Sequence, residues 1–91
     1  MLVLTSTYTA PLDEVDAHRD DHIAFLRGLA DTGHVVAFGR CRPPTGAVVL
    51  AVGWTAAEAR AALTHDPYVR AGVAEYEIRE FTPAYVNRGA W

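Results

Sequence analysis

Two side chains able to handle a proton stand where a polar group needs a reason. His22 falls on the apolar stripe of a helical pattern, between Val15 and Leu26, so its ring is expected to point at neighbouring structure and not into solvent. Imidazole takes and returns a proton near neutrality, so a partly buried one suits general acid–base work. It suits equally a core histidine satisfied by a backbone carbonyl. Asp66 precedes Pro67, the arrangement of a helix cap followed by proline in the first helical position. Capping is a sufficient job for that carboxylate, and it leaves oxygen lone pairs free for a second one.

Other residues join these two with less specific signals. Arg19 lies three positions before His22 on the same side of the helix, where it meets an anionic substrate or pairs with Asp66. The plain alternative is a surface ion pair with Asp13, Glu14 or Asp16. Tyr68 offers a phenol to a pocket, or else packs between subunits. His18 and His22 are four apart, a spacing that can present two metal-binding nitrogens on one helix face, but further ligands would have to come from distant Asp66 or His65. No metal is expected. Nor is an organic cofactor, since no glycine loop of the phosphate-cradling kind is present. Cys41 has only Arg40 and Arg42 nearby to lower its pKa and is read as a small strand residue.

The elements that must position these groups follow from periodicity and turn chemistry. Leu2 to Tyr8 is rich in β-branched and aromatic residues and stops at Ala10-Pro11, which marks a first strand. From Pro11 to Thr32, Val15, Ile23, Leu26, Leu29 and Ala30 recur at helical spacing, with Asp13, Asp20, Ala24, Arg27 and Asp31 opposite. One amphipathic helix is expected there, closed by Gly33. His34 to Cys41 and Ala47 to Trp54 read as paired second and third strands across a Pro-Gly loop. In the latter both alternating faces are apolar, so one packs under helices and the other needs a cover, most simply a second copy of the sheet. Thr55 with Glu58 is a capping-box pattern opening a helix to Leu63, and Asp66-Pro67 starts one more turn that closes at Gly72. Val73 to Phe81 alternates Ala74, Tyr76 and Ile78 against Glu75, Glu77 and Arg79, with Phe81 out of phase, as in a fourth strand with a bulge or terminal bend. Thr82 to Trp91 holds Tyr85 and Trp91 and is a candidate for contact with a partner.

Composition narrows the function classes. With 91 residues there is room for one domain, spanning 1–91, whose modest core would gain from a partner subunit. Hydrophobic residues at 51% and charged residues at 21% describe a folded chain. Eleven acidic and eight scattered basic residues give a net charge of −3 and no basic stripe, so nucleic acid is not an expected partner. The longest apolar stretch, Gly46 to Gly53, is far below the ~20 residues that span a bilayer, and no export signal is apparent. With its lone cysteine the chain is expected in the cytoplasm.

The run His65-Asp66-Pro67-Tyr68-Val69-Arg70-Ala71-Gly72-Val73, with the alternating strand ending in Phe81, resembles the Asp-Pro-aromatic motif of the YciI-like (YCII-related) family. Arg19-Asp20-Asp21-His22, then Leu26, Leu29, Gly33 and Phe38-Gly39, resembles that family's first-helix motif with its single histidine. The resemblance implies a ferredoxin-like α+β fold of βαββαβ order, with a four-stranded antiparallel sheet, helices on one face, and two copies forming a dimeric α+β barrel. It implies a His22–Asp66 pair in a pocket; Arg19 and Tyr68 are the candidates that the residues themselves add for contact with substrate. It also implies kinship with enzymes that isomerise or dehydrochlorinate small organic molecules. The rival expectation is a non-catalytic metabolite-binding or dimerisation module. One departure stands out. Family members often carry proline after the glycine that ends the second strand, whereas Arg40 follows Gly39 here, so the pocket rim and its ligand are expected to differ.

Overall fold

A computed structural model describes residues 1–89, so the expected crossing of Trp91 to a partner lies outside the described residues. The elements run β1 (Leu2–Tyr8), α1 (Leu12–Asp16), α2 (Arg19–Asp31), β2 (Val35–Arg40), β3 (Gly46–Ala51), α3 (Ala56–Leu63), α4 (Pro67–Arg70) and β4 (Ala74–Glu80). The strands form one antiparallel sheet in the order β2-β3-β1-β4, and the helices cover one face. Each βαβ half therefore splits around a strand of the other half, which is the ferredoxin-like α+β arrangement.

The period of two decides which side chains face the helices. Leu2, Leu4 and Ser6 of β1, Ala47, Val49 and Ala51 of β3, and Ala74 of β4 are buried on that side. Leu26 of α2 and Ala59 and Leu63 of α3 close over them. On the other face Val3, Val48 and Leu50 are half-buried with no layer of this chain above them. That face is as apolar in its middle as the strand pattern requires.

Local signals account for most element ends. Thr55 accepts the Glu58 N–H at 3.1 Å and Glu58 accepts the Thr55 N–H at 3.0 Å, completing the capping box. Those bonds, from the Thr55 backbone first and its side chain second, hold the Glu58 carboxyl below its ordinary pKa. Gly33 and Gly72 adopt φ of 87° and 71°, the left-handed conformation that ends α2 and α4 without a Cβ penalty. Gly46 is needed for a different reason. It is the first residue of β3 and not loop punctuation, and a Cβ there would sit 1.9 Å from the Ser6 carbonyl oxygen.

Two expectations need correction. The helix expected from Pro11 to Thr32 is two helices, broken at Ala17 and His18, where His18 takes φ −109° and ψ 6° and its N–H bonds Val15 at 3.0 Å, one residue short of helical reach. The break lets Val15 fill a small cluster with Tyr68, Val73 and Ala74 while Leu26 joins the main core. No bulge occurs in β4, whose register with β1 is unbroken. The irregularity lies instead in β2, between Val35 and Ala37, leaving Val36 exposed. Phe81 lies just past the ladder, its N–H bonded to the Met1 carbonyl at 3.0 Å.

Candidate functional site

Asp66 is the centre of the site and is fully buried. Its backbone is extended and its Oδ1 accepts the Tyr68 N–H at 2.9 Å, so the capping role read from Asp66-Pro67 is realised. The same carboxylate faces α2. His22 Nδ1 lies 2.8 Å from Oδ1 and 3.0 Å from Oδ2, and the Tyr76 hydroxyl donates to Oδ2 at 2.6 Å. Burial first, and then the Asp66 charge, push the Tyr76 phenol far above its ordinary pKa, which keeps it a protonated donor. An ionised carboxylate is acceptor-only, and a bond of this length is typical of O–H to a charged oxygen. With two donors already aimed at Asp66, Nδ1 of His22 is the third, and it carries the ring proton.

The orientation of His22 is fixed twice over. Besides the carboxylate, its ring lies flat on Tyr68, with centroids 3.8 Å apart and planes 9° from parallel. Tyr8 meets Tyr68 edge-on at 5.9 Å. Among the described residues every fully buried side-chain nitrogen or oxygen has a hydrogen-bond partner. Nε2 of His22 has no partner among the described residues and is therefore not fully buried, and the His22 ring lines a cavity. A neutral imidazole held this way presents a lone pair to the cavity, and the imidazolium formed when it takes a proton is stabilised by the carboxylate behind it.

The cavity has a volume of about 150 Å³. Ile23, Leu26 and Phe38 supply apolar wall, and Tyr8, Arg19, Arg40 and Tyr68 supply polar groups. Burial raises the pKa of the Tyr68 phenol, with Arg40 partly offsetting the effect. Arg19 and Tyr68 thus reach the same space as His22. Arg19 makes none of the ion pairs weighed for it among the described residues: Asp66 is sealed behind His22 and saturated, and Asp16 is bound to Arg40. Of the His18–His22 spacing, His22 Nδ1 is bonded to Asp66, and no three His, Cys, Asp or Glu residues gather around the pair among the described residues.

Sequence reasoning missed Tyr8, Tyr76 and Arg40 as members. Signals existed for two of them. Tyr76 shares the inward row of β4 with Ala74 and Ile78, and a phenol on a buried row needs a partner. Arg40 occupied the one position flagged as a departure from the resembled family.

A sequence model of the YCII-related domain matches residues 1–82. This chain belongs to the YCII-related family. Among solved structures the YCII-related chain is similar to TftG, the 5-chloro-2-hydroxyhydroquinone dehydrochlorinase of Burkholderia phenoliruptrix AC1100, in complex with 2,5-dihydroxybenzoquinone. The TM-score is 0.73 and the identity 18%, over 90% of this chain and 94% of that one. No curated protein matches the YCII-related chain.

Proposed function

We propose that this YCII-related protein is an enzyme in which His22, oriented by Asp66, moves a proton on a small organic molecule held in the cavity. The observation that carries the reading is the buried imidazole in the cavity wall, with Nδ1 shared between both Asp66 oxygens and Nε2 without a partner among the described residues. Nε2 takes a proton from an acidic O–H or C–H of the substrate, and the resulting imidazolium is stabilised by Asp66. The proton then returns at a second position, or the substrate loses a leaving group, so isomerisation and elimination, dehydrochlorination included, share the same apparatus. The dehydrochlorinase activity of TftG and its small quinone ligand favour a compact oxygenated ring as substrate. None of these steps calls on a metal or organic cofactor.

We also propose that two copies pair through the open sheet face, covering Val3, Val48 and Leu50. Sedimentation should then give a dimer, and Leu50→Arg a monomer; a monomeric parent would reject the pairing. For the chemistry, hydroxylated aromatics and lactones are supplied to the parent and variants. His22→Ala and Asp66→Asn should slow turnover of any true substrate by about 10²-fold or more. Equal rates would reject the dyad. A substrate-free check is the ¹⁵N spectrum of His22, which should show the proton on Nδ1 and a bare Nε2 in the resting protein.

A further inference from the structure

Arg40 ends β2 on the helix-facing side, opposite Ala47 in the ladder, and proton transfer by the dyad makes no use of it. Its Nε donates to the Tyr8 hydroxyl at 3.0 Å and its Nη2 donates to Asp16 at the end of α1. The guanidinium carbon stands 5.4 Å from the centroid of the Tyr8 ring. Of the five N–H donors of arginine, these contacts use two. The Tyr8 oxygen, having accepted from Nε, has its own proton left to give. Arg19 lines the same cavity without a carboxylate partner among the described residues.

The cavity wall is therefore donor-rich, with His22 Nε2 as an isolated acceptor. Asp16 and Tyr8 hold Arg40 in place before any ligand arrives, so little ordering entropy is lost on binding. The bond to Asp16, above all, keeps the guanidinium firmly charged. About 150 Å³ is the size of cavity that takes one benzene-sized ring. We propose that Arg40, with Tyr8 and Arg19 beside it, makes this cavity select a single ring bearing an anionic oxygen, carboxylate or ring oxide, over its neutral isostere. The inference rests on the cavity being the substrate site, and it names the substrate class.

Titrations of the full chain with benzoate, 4-nitrophenolate at mildly alkaline pH, and neutral benzamide test it. The parent should bind benzoate or the phenolate at least about tenfold more tightly than benzamide, the ratio that one charge-assisted hydrogen bond supplies. Which anion binds tighter tells carboxylate from ring oxide. Arg40→Gln should bring the ratio to within about twofold, while Thr55→Ala, outside the cavity, should keep the preference. In the parent the Arg40 Nε–H resonance should move on adding the preferred anion and stay still with benzamide, a readout that stands even if Arg40→Gln fails to fold. Equal affinity for charged and neutral rings in the parent overturns the proposal and leaves the dyad to its own turnover test. A preference that survives Arg40→Gln and vanishes in Arg19→Gln, or a motionless Nε–H signal, also overturns it.

Discussion

The two ends of the helix-covered sheet face are built on the same strands but carry different chemistry. At one end the inward row holds Leu2 and Leu4 of β1, Val49 and Ala51 of β3 and Ile78 of β4, closed by Leu26 and Leu63. Toward the other end the same rows continue as Ser6 and Tyr8, Ala47, and Tyr76 and Ala74, with Phe38 giving way to Arg40 on β2. There the covering groups are His22, Asp66 and Tyr68. Burial is as deep at both ends, yet the polar end keeps every sealed group paired: Ser6 Oγ accepts the Ala47 N–H at 3.0 Å, and Asp66 takes three donors. A buried polar network is tolerated when fully satisfied, and it holds a precise geometry that an apolar core has no means to specify. The apolar end supplies stability, and the polar end supplies orientation.

Breaking the polar end at its centre should have the largest effect. Asp66→Ala leaves His22, the Tyr68 N–H and Tyr76 without their acceptor and removes the cap, and should lower unfolding free energy by about 3–5 kcal/mol in chemical denaturation. Asp66→Asn preserves a good cap but not the charge; if it proved as stable as the parent, capping would be the whole of Asp66's role. Leu4→Ala at the apolar end should cost about 2–5 kcal/mol through cavity formation, yet leave the His22 ¹⁵N pattern of the folded protein unchanged. A shift in that pattern would show that the two ends are not separable.

Tyr76→Phe removes one hydrogen bond to a charged acceptor and should cost about 1.5–3 kcal/mol. It also carries a pH signature. The folded protein retains the Tyr76 proton well above pH 10, the ordinary tyrosine value, near which the unfolded chain releases it. Stability is therefore full below that pH and falls as pH rises beyond it, because the folded state then binds more protons than the unfolded one. Tyr76→Phe should flatten this alkaline fall, with Tyr68, shifted in the same direction, leaving a remainder. The smallest effect belongs to a site outside both ends: Thr55→Ala should cost about 1 kcal/mol through the lost cap, with ring-ligand binding untouched.

Much of this was legible before any coordinates. The bounds of β1, the capping box at Thr55, the Asp66 cap and the left-handed Gly33 and Gly72 are matters of neighbours a few residues apart, where residue type alone decides the backbone. The inward turn of His22 followed from helical spacing. The split between α1 and α2 did not, because neither Ala17 nor His18 is a breaker; Val15 and Leu26 are drawn into different clusters, and that competition exists only in the packed molecule.

By itself, then, the sequence determined the order of strands and helices, but not the break between α1 and α2 nor which apolar row of β3 faces the helices. It also determined that His22 and Asp66 are polar groups placed among apolar ones. Only the tertiary structure decided their company. The antiparallel register sets Tyr76 beside Ser6, the α4 turn carries Asp66 to His22 across 44 residues of chain, and the end of β2 brings Arg40 to Tyr8 and Asp16. Local propensity acts over a turn or two of backbone, whereas a shared proton or an ion pair needs atoms within about 3 Å, a distance that distant segments reach only when the sheet and its helices close together.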